Sequence, residues 1–340
     1  MVENRVKRIR RKGVLAFGSH VGGIAALLAV SLGMLPGAPS FAQSYPTKAI
    51  RVIVPYPPGG TSDILTRLIA AKLTESWGQQ IIADNRTGAG GNIGAELTAR
   101  AAADGYTLML TDIGNVVSNS ILYSKLSFDF LRDFAPVTTV SYSPHLLAVH
   151  PSVPVETTQQ LIALAKARPG KLNFATSLGG MPHLAGLMFA QRTGIHWVYI
   201  PTTGGTQTTY AVATGDSDVM FLGILQTLAH INSGKLKLIA ASSEQRLPSL
   251  PETPTVAETL PGFVTGSWQG ILAPARTPPD VIAKLHGEIA RILKLPDVKE
   301  VLVSQGTTPL ATSPQGTGRW LASEKERWVK VVKESGFKLE

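Results

Sequence analysis

Four stretches of this chain place glycines where a main chain could grip a ligand: Pro57-Pro58-Gly59-Gly60, Gly88-Ala89-Gly90-Gly91, Ser177-Leu178-Gly179-Gly180 and Thr203-Gly204-Gly205. Each follows a short apolar run of strand type. Glycine lets the backbone turn sharply and approach a ligand closely, and the first N–H groups of a following helix have no partner inside that helix. Such a junction attracts an anion without any positive side chain, because free amides and the helix dipole both favour negative charge. Any one of these glycine pairs is explained by a tight turn alone. Two loops from different halves of the chain, each opening a helix, are harder to explain that way and point to an anionic ligand.

Other chemistries fit less well. A phosphate loop needs Gly-x-x-x-x-Gly-Lys-Ser/Thr, and Gly234-Lys235 is followed by Leu236. A dinucleotide fingerprint fails because Ile93 stands where the third glycine of Gly88-Ala89-Gly90 is required, with Gly94 one residue late. No His-Glu-x-x-His occurs, and His145 and His150, five apart on a strand, face opposite ways and are read as structural or solvent-facing rather than as metal ligands. The absence of cysteine excludes disulfide scaffolds, thiolate metal sites and Cys nucleophiles together. One enzyme reading stays open. Ala175-Thr176-Ser177-Leu178-Gly179 after a strand is similar to the nucleophile elbow of α/β-hydrolases, and Asp216 or Asp218 followed by His230 completes the order Ser, Asp, His. Against it, alanine replaces the first elbow glycine, the interval from Ser177 to His230 is short and no His-Gly-Gly-Gly motif is present. An exported serine hydrolase with Ser177 as nucleophile is therefore the alternative to a binding protein.

The elements that must position these loops are legible in outline. Short β-rich runs at 50–54, 80–83, 107–111, 146–149, 172–175, 197–200, 218–222, 236–241 and 270–273 alternate with helical periods such as 62–77 and 279–293. That alternation predicts an α/β architecture with largely parallel sheets. The length of 340 residues suggests two compact units, and the net charge of +9 is mostly a property of the N-terminus. The first 42 residues hold six of the 32 basic residues and one of the 23 acids, leaving +4 for the remainder, so a nucleic-acid partner is not expected. That tail has a cationic start, an apolar run over 21–35 and a small-x-Ala site at Ser40-Phe41-Ala42, the parts of a cleaved secretory signal over residues 1–42. The run is interrupted by glycines and ends at Pro36, which makes it short for a membrane anchor. Arg10-Arg11 leaves the twin-arginine export route open beside the general one. The mature chain is expected to be soluble and periplasmic.

Taken together, several segments resemble the Bug-type extracytoplasmic solute receptors of tripartite tricarboxylate transporters. They are Tyr45-Pro46-Thr47-Lys48 onward through Pro55-Tyr56-Pro57-Pro58-Gly59-Gly60-Thr61-Ser62-Asp63, Asp84-Asn85-Arg86-Thr87-Gly88-Ala89-Gly90-Gly91-Asn92-Ile93-Gly94 and Asp104-Gly105-Tyr106-Thr107-Leu108. Further on come Pro182-His183-Leu184-Ala185-Gly186, Leu250-Pro251-Glu252-Thr253-Pro254-Thr255 and Leu272-Ala273-Pro274. The resemblance covers the mature chain in order. It implies a two-lobed periplasmic-binding-protein fold of type II with a double crossover hinge. Mapped here, lobe one is 44–143 plus 262–340 and lobe two is 144–261, with extended stretches at 136–149 and 262–273 suited to the crossings.

The resemblance also implies a ligand carboxylate held by main-chain N–H groups of the first loop, a grip that falls on Tyr56, Pro58, Gly59, Gly60 and Thr61. The facing grip falls on Ser177, Leu178 and Gly179, with Thr203 and Gly204 beside it. His183 is balanced between helix-start packing and ligand contact, whereas Asp63, an acid in a first helical turn, is expected to steady the helix end. The chain departs from the family pattern where Pro-Tyr-Lys-Gly becomes Pro201-Thr202-Thr203-Gly204 and Met-Phe-Asp becomes Met220-Phe221-Leu222. Those changes leave the choice among dicarboxylates, aromatic acids and amino acids open. The implied protein is a non-catalytic receptor without a cofactor. Its partners are a small carboxylated solute and the membrane permease subunits of a tripartite transporter, or a sensor protein in a signalling variant.

Overall fold

The computed structural model describes residues 45–123, 125–304 and 306–337, so the leader expected over 1–42 lies outside the described residues. Strands β1 (Ile50–Val54), β2 (Ile81–Asn85) and β3 (Thr107–Asp112) are parallel, with β1 central. Strands β5 (Asn173–Thr176), β6 (Val198–Pro201) and β7 (Val219–Gly223) form a second parallel set, with β5 central. Two antiparallel strands join the sets. The sixteen-residue β4 (Phe134–Val149) pairs along 134–144 with β9 (Gly266–Pro274) and along 145–149 with β7 and β8 (Lys237–Ala241). Only 146–149 carries a β-rich apolar run. The rest of β4 is strand because β9 lies alongside it.

The outward crossing through Ser143-Pro144-His145 and the return through Thr265-Gly266 are tied together. His145 N–H donates to the Thr265 carbonyl at 3.4 Å, and Ser242 N–H to the His145 carbonyl at 2.7 Å. A Cβ at Gly266 would lie 2.4 Å from the Tyr142 ring and 2.6 Å from the Ser143 carbonyl, so only glycine fits between the crossing strands. His145 is buried here with Nδ1 3.2 Å from Thr265 Oγ1, and burial pushes its pKa down to about 3. It is a neutral structural histidine, as read from the sequence.

The periodic faces fill the core. Leu65, Ile69 and Leu73 of the Thr61–Trp77 helix share one buried cluster with Ile282, Leu285 and Ile289 of the Pro279–Ile292 helix. The Pro314–Ser335 helix packs on both the Ile113–Leu122 helix, which follows β3, and the Met181–Thr193 helix, which follows β5. It therefore touches elements of both halves. Its Trp328 is fully buried, with Nε1 donating to Glu324 Oε2 at 2.8 Å. The result is a two-lobed α/β fold with a double crossover. Among the described residues no helix is long and apolar enough to cross a membrane.

Candidate functional site

In a parallel α/β sheet the ligand site lies beyond the carboxyl ends of the strands. Six helices start there, after β1, β2, β3, β5, β6 and β7, and five of them have glycine at the N-cap: Gly60, Gly91, Gly180, Gly204 and Gly223. None of these five receives a side-chain cap. Four helices elsewhere are capped, since Asp129, Thr157, Thr255 and Ser313 each accept an N–H of the helix they open, whereas the Pro279–Ile292 helix starts after Pro278 without a side-chain cap. Those four starts are closed by the oxygen of their own N-cap residue, worth about 1 kcal/mol each. The five glycine starts have no such oxygen, and in the Met181–Thr193 helix the first amide is taken instead by Asn115 of a neighbouring helix.

Three of the open loops share one construction. Gly59 (φ +81°) and Gly179 (φ +80°) occupy the left-handed region, and the following Gly60 (φ −78°, ψ 167°) and Gly180 (φ −75°, ψ 166°) are superimposable in backbone angle. In both, the N–H of the residue before the N-cap donates to the side chain four positions on: Gly59 N–H to Asp63 Oδ2 at 2.9 Å and Gly179 N–H to His183 Nδ1 at 3.2 Å. The third loop repeats the brace with an amide, Thr203 N–H donating to Gln207 Oε1 at 2.6 Å. Asp, His and Gln are the acceptors that this position accommodates. Each fixes the mouth of its helix without covering the first-turn amides.

Asp63 is buried and also accepts from Arg67 Nε and, at 3.0 Å, from Asn85 Nδ2, whose other hydrogen bond goes to the Tyr56 carbonyl. The loop after β1 is thereby fastened to the end of β2. Between the two glycine loops stands the start of the Ile113–Leu122 helix. Asn115 Nδ2 donates to the Tyr56 hydroxyl at 3.0 Å while its Oδ1 accepts Met181 N–H at 3.0 Å, and Ser118 Oγ donates to the Gly179 carbonyl at 2.7 Å. One helix turn therefore sets the spacing of both loops. A Cβ at Gly114 would fall 2.8 Å from Met181 Cγ, which shows how closely the two sides meet.

This helix is the exception among the six starts, because its N-cap is a carboxylate. Asp112 accepts from Gly114 N–H at 3.0 Å and from Ser267 Oγ; Gln269 Nε2 donates to the same Ser267 at 3.0 Å, and Ser62 Oγ donates to Gln269 Oε1 at 2.6 Å. A continuous buried relay thus runs from the first loop across β9 to the Asn115 turn. Burial pushes the Asp112 pKa up to about 6, against the pull of Ser267 and the backbone N–H groups. A raised value in the folded state means that folding binds a proton, so this group's penalty is present above pH 6 and relieved as pH falls towards 4. Asp112→Asn removes that dependence. Relative to wild type, its unfolding midpoint should be higher at pH 7.5 than at pH 4.5, a swing of roughly 2–3 kcal/mol; equal differences at the two pH values would show that Asp112 is not the group responsible.

The sequence profile described as the tripartite tricarboxylate transporter family receptor matches residues 65–337. The chain belongs to this receptor family. BugT of Bordetella pertussis is 37% identical over 305 residues, covering 89% of this chain and 94% of its own. Among solved structures, the Rhodopseudomonas palustris protein Rpa4515 with adipate superimposes with a TM-score of 0.81 at 34% identity, covering 86% of this chain and 98% of that one. MatC from the same organism, with bound malate, gives 0.77 at 30% identity, covering 85% and 100%. The fold is accordingly that of the periplasmic binding proteins of this family.

Within the receptor the sequence-derived positions fall as follows. Pro58, Gly59, Gly60 and Thr61 form the first loop, with Tyr56 turned inward to Asn115; Ser177, Leu178 and Gly179 form the facing loop. Of the amides expected to be open, Gly59 N–H goes to Asp63, Gly60 N–H to the Pro57 carbonyl and Gly179 N–H to His183, while Pro58 has no N–H to offer. Thr203 turns both its N–H and its hydroxyl to Gln207. His183 is fully buried, on the packing side of the two roles weighed for it. The hydrolase constellation is not assembled. Asp218 accepts from Asn173 N–H at the start of β5, whereas Ser177 follows its far end; Asp216 accepts from Thr214, and His230 lies in the last turn of its helix. Asn115, Ser118, Ser267 and Gln269 were not singled out from sequence. The spacing Gly-Gly-x-x-Asp/His, and its Gln207 variant, was visible there and is the signal that marks a braced loop.

Proposed function

We propose that this receptor binds a small carboxylated solute in the periplasm, between the 57–62 and 177–181 loops, and delivers it to the membrane subunits of a tripartite transporter. The carrying observation is the set of glycine-started helices at the strand ends whose N-cap residues supply no capping oxygen, in contrast to the helices opened by Asp129, Thr157, Thr255 and Ser313. Charge-assisted bonds from amides to a carboxylate are short and strong, and their strength grows as water is excluded. Support also comes from the family and from the adipate and malate found with its structural neighbours. The first-loop donors are Thr61 and Ser62, and the facing donors are Ser177, whose hydroxyl makes no bond to another described residue, and Leu178. Lobe one spans 44–143 plus 262–340 and lobe two 144–261, with the leader over 1–42 removed on export.

Thermal unfolding of residues 43–340 against mono-, di- and tricarboxylates, aromatic acids and amino acids tests this reading. A ligand at about 100 times its Kd adds about 2.7 kcal/mol and raises the midpoint by several degrees. A rise confined to carboxylates sustains the proposal and names the solute class. No rise with any of them, after unfolding and refolding to remove carried ligand, refutes it.

A further inference from the structure

The Gly179 amide of the facing loop is braced by His183, and His183 is in turn enclosed by aromatic rings. Its imidazole stands edge-on to Tyr199 at 4.9 Å and to Phe337 at 4.4 Å between centroids. Since Nδ1 accepts the Gly179 N–H, the ring proton belongs on Nε2, which is buried and has no hydrogen-bond partner among the described residues. A second proton would occupy Nδ1 and cancel the bond that braces the loop. Phe337 comes just after the Pro314–Ser335 helix, which spans both halves of the fold, and its N–H is tied to Ser335 Oγ at 3.2 Å. We infer that Phe337 is a positioning residue for the facing loop: its ring seals the His183 imidazole from water and so keeps it in the neutral Nε2–H form that holds Gly179.

Burial alone keeps the His183 pKa down to about 4. The titratable and charged groups on the elements packed around it do not bond to the ring. Tyr199 presents a hydroxyl that burial pushes up to about 12. On the C-terminal helix, Arg327 donates to the Val264 carbonyl and Glu334 accepts from Gln191, while Lys330 and Lys333 are exposed. On its own helix, Arg192 donates to the Pro261 carbonyl. With no ion pair to it among the described residues, the apolar cover sets its protonation, and removing the cover should return the imidazole towards its ordinary value of about 6.5.

The test is histidine 15N NMR of ligand-free mature protein between pH 4 and 7 for wild type, Phe337→Ala and Phe337→Leu. Wild type and Phe337→Leu should hold His183 in the Nε2–H tautomer down to pH 5, whereas in Phe337→Ala it should titrate at least one unit higher, with the Gly179 amide resonance moving in step. Phe337→Ala/His183→Gln, which keeps an acceptor but cannot titrate, should lose that pH dependence. The inference is overturned if His183 titrates alike in all three proteins, or if wild type shows the Nδ1–H tautomer; that second result needs no variant to fold. The consequence for ligand rests on the proposed role of the 177–181 loop: Phe337→Ala should bind the best carboxylate of the panel normally at pH 7.5 and at least fivefold more weakly at pH 5.5. Because the NMR uses no ligand, it stands or falls apart from the ligand assignment.

Discussion

Asp63→Ala is expected to lower the unfolding midpoint by about 5 °C or more and to weaken carboxylate binding about tenfold. The side chain is 3% exposed and accepts from Gly59 N–H, Asn85 Nδ2 and Arg67, so its removal strands buried donors as well as losing their bonds. Losses of that kind cost about 2–4 kcal/mol. Binding suffers separately, because Gly59 at φ +81° relies on this brace to present the first amides of the Thr61–Trp77 helix. Acid should narrow the gap between variant and wild type. Burial alone would push the Asp63 pKa up, but the Arg67, Gly59 and Asn85 hydrogen bonds outweigh it and hold it below the usual carboxylate range. A depressed value contributes stability above that range and loses it as pH falls through the folded pKa, the reverse of Asp112. Midpoints of both proteins followed from pH 7 to 3 check this. A gap that widens in acid would show that the carboxylate charge is not what holds the loop.

The loops of this site were legible because glycine has few reasons to recur at strand ends, and Gly59-Gly60 and Gly179-Gly180 stand at the same place in two halves of one architecture. The elements behind them were legible for a related reason. Leu65, Ile69 and Leu73 repeat at helical spacing because one face must be buried against Ile282, Leu285 and Ile289. By composition β4 was a strand only at its end; the rest was legible only as an extended crossing, since the 134–144 segment mixes proline, threonine and serine and becomes a strand through β9 rather than through its own composition. Asn115 and Gln269 were out of reach for a different reason. A neutral amide in a helix or strand has no local signature, and its meaning comes from partners such as Met181, 66 residues away, and Ser62, 207 away. His183 sat between the two cases, since its spacing from Gly179 is local but its burial depends on Tyr199 and Phe337.

Asn115→Asp should abolish most carboxylate binding while leaving the fold in place. The aspartate keeps an oxygen for Met181 N–H, and the Tyr56 hydroxyl, which burial holds firmly protonated, can donate to the other oxygen in place of accepting from Nδ2. Shape and hydrogen-bond count are thus preserved, and the change is one negative charge at the point where the two glycine loops meet. A ligand carboxylate within about 6 Å of it would be repelled by about 3 kcal/mol at an effective dielectric constant near 20, a loss of roughly 100-fold. Asn115→Ala, which removes both bridges without adding charge, should cost nearer tenfold, since each lost neutral bond is worth about 1 kcal/mol. Titration calorimetry with the best ligand of the panel separates the two effects. If the proposed site is right, the aspartate penalty falls with added salt and at pH 5, where the new acid shares a proton with neighbouring Asp112, and the alanine penalty does neither. Binding by Asn115→Asp within twofold of wild type at pH 7.5 would place the ligand's charge somewhere other than between these loops, whatever the panel had shown about its chemistry.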